Sequence, residues 1–323
     1  MKKLIPLLLL AFILYFTYNY FLGALDNPAV SSNGNNNSTA GIDKTTSPQA
    51  NVPAIDAPPA INTTTMFYHT VYYADAEGHL VPVLCTFEKT PSRAKTALSA
   101  LVDNAQNTQQ ISPYGLRPTI PQEVTISLAL KEDGLIKVGL GAAVMQLGDP
   151  AKEEALLKSI VYTLTEFDNI SAVEFLIGSR PATSLTGGTN ASGTFRREDI
   201  NSTQEKNTYR TTLYTYGLYY PDYYFYPQTV YTEEACSTVD DILALLTAQS
   251  TFILNADDII ISDTMTPQPT VEIRNTNLSQ AELTAVKKCI LLTLQENTNI
   301  SSCTIHDGQR VDTYAMPIVA NML

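Results

Sequence analysis

Residues 162–180 read YTLTEFDNISAVEFLIGSR, and residues 292–310 read LTLQENTNISSCTIHDGQR. At a constant offset of 130 the two stretches share Thr163/Thr293, Leu164/Leu294, Glu166/Glu296, Asn169/Asn299, Ile170/Ile300, Ser171/Ser301, Gly178/Gly308 and Arg180/Arg310. Eight identities in 19 ungapped positions mark an internal duplication, and a repeat of this length points to a small domain present twice. Each copy reads as the end of a helix, a turn at Asn-Ile-Ser, and a short strand closed by glycine.

Outward from the first copy, residues 66–180 form one expected domain. Residues 67–73 and 80–87 are β-branched and aromatic, and Asp75-Ala76-Glu77-Gly78 between them turns the chain into a hairpin. Ala94, Ala97, Leu98, Leu101 and Val102 recur at helical spacing over residues 92–104. A loop with Pro113, Tyr114, Gly115, Leu116, Arg117 and Pro118 follows. Val124, Ile126, Leu128 and Leu130 then alternate into a second hairpin, turned at Asp133-Gly134. Asp149-Pro150 opens a helix through Phe167, with proline in the first turn where its missing N–H costs least.

Residues 208–311 repeat this order as a second, divergent domain. Its last helix opens with Ser279 and Glu282 in capping-box spacing. The earlier helices align at an offset of 144, so the second copy is shorter by 14 residues between its helices and lacks the Pro113–Pro121 loop. In exchange it gains a tyrosine cluster: nine of the chain's 18 tyrosines fall within residues 209–231. Residues 181–207 lose hydrophobic periodicity and are expected as a linker, and residues 312–323 as a C-terminal tail. Two helices covering one face of a mainly antiparallel sheet give each copy a two-layer α+β architecture.

The first 65 residues have a different character. Lys2 and Lys3 precede 22 residues, 4–25, that carry no charge. As a helix they span about 33 Å, enough for a bilayer core, and the leading lysines favour a cytoplasmic N-terminus. Residues 1–25 are therefore expected as a signal anchor or transmembrane helix, with secretion after signal cleavage as the alternative. No cysteine follows the span to accept a lipid. Residues 26–65, rich in Asn, Ser, Thr, Ala and Pro, have the composition of a disordered tether.

The chain carries a net charge of −12. Without Lys2 and Lys3 the remainder holds 18 basic and 32 acidic residues. No basic stripe offsets that field, which argues against nucleic-acid partners. The four cysteines (Cys85, Cys236, Cys289, Cys303) show no CxxC spacing, and the histidines (His69, His79, His306) do not cluster. No metal site and no cofactor site is legible. Cys289 and Cys303 fall on adjacent elements and are open to either a disulfide or burial as small apolar side chains. No Gly-x-Ser-x-Gly elbow, Walker loop or nucleophile–base–orienter set is present, so no enzymatic activity is expected.

The run Ala97-Leu98-Ser99-Ala100-Leu101, then Gly115-Leu116, Ile120-Pro121, a hairpin, the segment 160–167, Val173 and Gly178 resembles the GerMN domain family of sporulation and spore germination. The resemblance is good over residues 68–178 and weaker over 211–310. It implies a fold similar to the ring-building motif of the channel between mother cell and forespore, and it implies assembly work in a spore-forming bacterium without a known reaction. Expected partners are other envelope or sporulation proteins, with self-association and peptidoglycan as further options and the membrane reached through the N-terminal helix. A cell-wall or carbohydrate-binding role through exposed tyrosines is the alternative reading. The candidate interaction surface comprises Tyr219, Tyr220, Tyr223, Tyr224 and Tyr226 in the second copy, with Tyr114, Leu116 and Arg117 in the first. The competing expectation for the tyrosines is cross-strand packing inside a small sheet.

Overall fold

A computed structural model describes residues 65–202, 204–219, 222–249, 252–262, 267–274 and 277–323. The expected anchor and all but the last residue of the expected tether lie outside them. Among the described residues no helix is long and apolar enough to cross a membrane.

The first copy opens with a two-stranded ribbon, β1 (Met66–Ala74) and β2 (Leu80–Glu88), in antiparallel register from Met66↔Glu88 to Ala74↔Leu80. The helical periodicity beyond residue 92 resolves into α1 (Arg93–Ser99), a short strand β3 (Val102–Asp103) and α2 (Ala105–Ile111). A single helix does not form here because Asn104 caps α2, its side chain accepting from the Asn107 amide. β4 (Ile120–Pro121) pairs with β3. Then come β5 (Ile126–Leu130), β6 (Leu135–Leu140), α3 (Pro150–Leu164), β7 (Ala172–Ile177), β8 (Arg180–Pro181) and β9 (Thr194–Phe195). α3 starts where expected, capped by Asp149 with Pro150 in its first turn.

The second copy consists of the ribbon β10 (Tyr209–Tyr219) and β11 (Asp222–Thr232), α4 (Val239–Thr247), β12 (Ile259–Ser262), β13 (Thr270–Ile273), α5 (Gln280–Asn297), β14 (Ser302–His306) and β15 (Val311–Ala315). The Ser279–Glu282 capping box is present at α5. The two main sheets have the same plan. β5-β6-β7-β8 and β12-β13-β14-β15 each contain an antiparallel hairpin, a parallel pair joined through the long helix, and an antiparallel return. Register also repeats: Leu176 faces Pro181 as His306 faces Val311, at the sequence offset of 130.

The architecture is α+β with mainly antiparallel sheets, as expected, and the structure refines that expectation in two ways. Each sheet has a central parallel pair, because strand–helix–strand connections return a strand in the same direction. The ribbon is also not part of the sheet. It packs on the other side of the long helix, so that helix is covered on both sides. α5 shows this directly: residues 285–294 are all buried, including every polar one. A period-3.6 stripe is accordingly faint in both long helices.

The segments expected as linker and tail are built into the fold. β8 and β9 both pair with β7, and Ala182, Leu185 and Ala191 join the first core. Residues 311–315 form the edge strand β15, Ile318 is buried in the second core, and Leu323 packs against the first. Short aperiodic segments carry no periodic signal even when each contributes a buried anchor. All four cysteines are free, with Cys85, Cys289 and Cys303 buried. Burial pushes the Cys303 thiol up to about 12.

Candidate functional site: the junction of the two domains

The duplicated threonines set the geometry. Thr163 Oγ1 accepts the Tyr72 backbone N–H at 3.1 Å, and Thr293 Oγ1 accepts the Tyr214 N–H at 2.8 Å. Each copy thus ties its first strand to its long helix through the same side chain. Beyond this point the copies differ. Phe167 stacks on His69 at 3.8 Å, while its counterpart Asn297 hydrogen-bonds the Thr212 backbone. Glu166 accepts from Tyr72 Oη and pairs with Arg197. Burial holds the Glu296 carboxyl above its ordinary value, against the pull of Arg197 and with the help of Glu166. The repeated glutamates therefore lie close enough to feel one another across the junction.

The two ribbons approach edge to edge, β2 facing β11, but they do not zip together. Pro82 and Pro227 sit on the facing edges and have no N–H to offer. Two asparagines fill the gap. Asn201 Nδ2 donates to Leu80 O and Pro227 O, and its Oδ1 accepts from Leu80 N. Asn201 has φ 51°, a left-handed conformation that asparagine tolerates better than most residues. Asn321 Nδ2 donates to Pro82 O and Phe225 O, while its Oδ1 accepts from Phe225 N. The Asn321 carbonyl in turn accepts from Leu84 N at 2.8 Å, and Leu323 N donates to Leu84 O. Each asparagine amide supplies the donor and acceptor that a neighbouring strand would have supplied.

Part of the tyrosine cluster belongs to this junction. Tyr224 Oη donates to Asp75 Oδ2 at 3.1 Å, and Tyr226 stacks on His79 at 4.6 Å. Tyr223, on the opposite face, packs into the second core edge-on to Tyr216. Tyr220 lies outside the described residues. In the first copy Leu116 is buried in the core. The Arg117 backbone pairs with Ala74, fixing the loop, and its side chain is exposed.

Tyr219 and Tyr114 differ from the rest. Tyr219 lies on Gly115, where an added Cβ would sit 2.6 Å from the ring, and Gly115 itself has φ 72°. The two regions unmatched between the copies, the Pro113–Pro121 loop and the tyrosine ribbon, thus meet each other. Tyr219 and Tyr114 remain 46% and 43% exposed and form one rim drawn from both domains, while Leu218, 60% exposed, lies on the opposite face of β10 with Tyr223.

The chemistry available is limited. Both Asp75 oxygens are engaged, by the His79 N–H, the His79 ring and Tyr224. Glu77 lies close enough to join Asp75 and His79 around a cation, but an ion would have to displace those donors. His69 Nε2 is 2.8 Å from Thr163 O, and burial lowers its pKa.

Residues 70–183 match the profile of the Germane family, described as sporulation and spore germination. The first copy is a Germane domain. The chain as a whole is similar to GerM proteins. It is 27% identical over 173 residues to the spore germination protein GerM of Bacillus subtilis (strain 168), a match covering 51% of this chain and 44% of that protein. The match therefore spans less than half of that relative's length. The solved tandem GerMN domains of the sporulation protein GerM from Bacillus subtilis superpose with a TM-score of 0.60 at 21% identity, covering 80% of this chain and 99% of that one. At that identity the likeness establishes the fold of the tandem pair.

Proposed function

We propose that this chain is a non-enzymatic, membrane-tethered protein acting outside the cytoplasmic membrane in sporulation or germination, where it docks a protein partner. The observation carrying this reading is the rim of Tyr219 and Tyr114. Two exposed tyrosines, one from each domain, suit the centre of a protein interface, which aromatic residues favour and most charged residues avoid. Arg117 is on the same loop and supplies a charge of the kind interfaces use. Similarity to the GerM proteins supplies the cellular setting, and the uncharged run 4–25, read as an anchor, with the polar stretch 26–65, read as a tether, motivates the membrane attachment.

A photo-reactive amino acid in place of Pro113, exposed beside Tyr114 and introduced in the native host during sporulation, tests the docking. A discrete protein adduct is expected from this position and not from Lys152, which is exposed on α3. Tyr219→Ser combined with Tyr114→Ser is expected to lower the adduct yield at least about tenfold, as loss of two aromatic anchors should. Adducts equal at both positions, or adducts containing only glycan, would refute protein docking at the rim.

A further inference from the structure

A charged cluster lies inside the second core, away from the junction. Lys287, Asp307 and Asp312 are 4%, 5% and 6% exposed. Lys287 Nζ is 2.6 Å from Asp307 Oδ2 and 3.2 Å from Asp312 Oδ2. Tyr314 Oη donates to the same Asp312 oxygen at 3.3 Å. Asp307 Oδ1 accepts the backbone N–H groups of Gln309 and Arg310 at 3.0 and 2.7 Å.

The fold itself does not call for this cluster. At the offset of 130, which strand register supports, the first-copy counterparts are Leu157, Ile177 and Ala182, all packed in the first core. Three apolar neighbours have become one amine and two carboxyls. A buried ion cluster is generally no more stable than the apolar packing it replaces, and two carboxylates to one ammonium leave an unbalanced charge. Those three groups are, however, the complete reactant set for an amide bond: a nucleophile, an electrophile and a proton carrier, held in contact in a site closed to water.

We propose that Lys287 and Asp312 form an intramolecular isopeptide bond, with Asp307 carrying the proton. Asp307, fixed as an acceptor by two backbone N–H groups, takes one proton from the Lys287 ammonium. The freed Nζ lone pair attacks Cγ of Asp312 in its acid form, whose carboxyl oxygen Tyr314 holds. The Nζ–Cγ bond forms and the Cγ–OH bond breaks. Of the two protons that Nζ gives up, one departs with the hydroxyl as water and one stays on Asp307. No oxidant or co-reactant is consumed, and the product cluster is neutral, which removes the buried charge. The bond joins α5 to edge strand β15, closing a loop over a separation of 25 residues as a disulfide would.

Intact mass spectrometry of the purified full chain, with proteolytic mapping, decides the matter. The expected result is a chain lighter by one water, with a branched peptide linking residue 287 to residue 312. Asp312→Ala restores the full mass. Asp312→Asn keeps the reacting carbon and is expected to release ammonia instead of water, an outcome that a purely structural cluster does not produce. A wild-type chain of full mass with linear peptides overturns the proposal. So does a water loss that maps to a cyclic imide at Asp307-Gly308 without a Lys287 branch.

Discussion

Thr163 and Thr293 are small side chains with a large structural share. Each is fully buried and accepts a backbone N–H from a strand in the neighbouring layer. Thr→Val preserves shape and removes the acceptor, leaving a buried amide without a partner. Either substitution is expected to cost about 1–3 kcal/mol, measured by denaturant unfolding. Ser at either position keeps the hydroxyl and is expected to cost less. His79 gives a second prediction at this scale. Its hydrogen bond to Asp75 outweighs burial and holds its pKa above 6.5. A His raised in the folded state adds stability that is full below the unfolded value and is lost as pH rises through the folded one. Thermal stability of the wild type is therefore expected to fall between about pH 6 and pH 8 more than that of His79→Gln. Equal slopes for the two proteins would show that the Asp75 pair contributes nothing.

The elements legible in the sequence were those that repeat or alternate. The long helices, their caps, the hairpin turns and the glycine-closed strands each carry a local signal that tertiary packing does not override. The elements missed at the ends of each copy draw on single anchors. Leu185 and Ala191 are isolated apolar residues in polar surroundings, Ile318 and Leu323 lie in a short apolar run over 315–323, and no period marks any of them. Asn201 and Asn321 were missed for the same reason, since an asparagine that bridges two strands looks like any turn asparagine in the sequence. The tyrosine ribbon was legible as an anomaly but not as a junction. Only Tyr219 and Tyr114, of the candidates whose side chains are described, keep large exposed aromatic faces. Asn321→Ala removes the amide while leaving the chain path intact. Orphaning Phe225 N and the Pro82 carbonyl is expected to cost about 1–3 kcal/mol and to speed proteolysis between residues 201 and 209. Unchanged cleavage would mean that the clamp is not what holds the ribbons.

For the molecule as a whole, duplication has produced a pair of domains that share surface, not two beads on a linker. Residues 197–201 enter the junction at one end and residues 321–323 at the other, so each domain is closed by chain that touches its neighbour. The rim of Tyr219 and Tyr114 exists only while that arrangement holds, because its members come from both copies. Amide nitrogen relaxation across residues 65–323 measures this most directly. A single rotational correlation time shared by the cores around Val173 and Cys303, retained on dilution, is the predicted result. Two distinct correlation times, one for each core, would contradict a fixed tandem body and with it the composite rim.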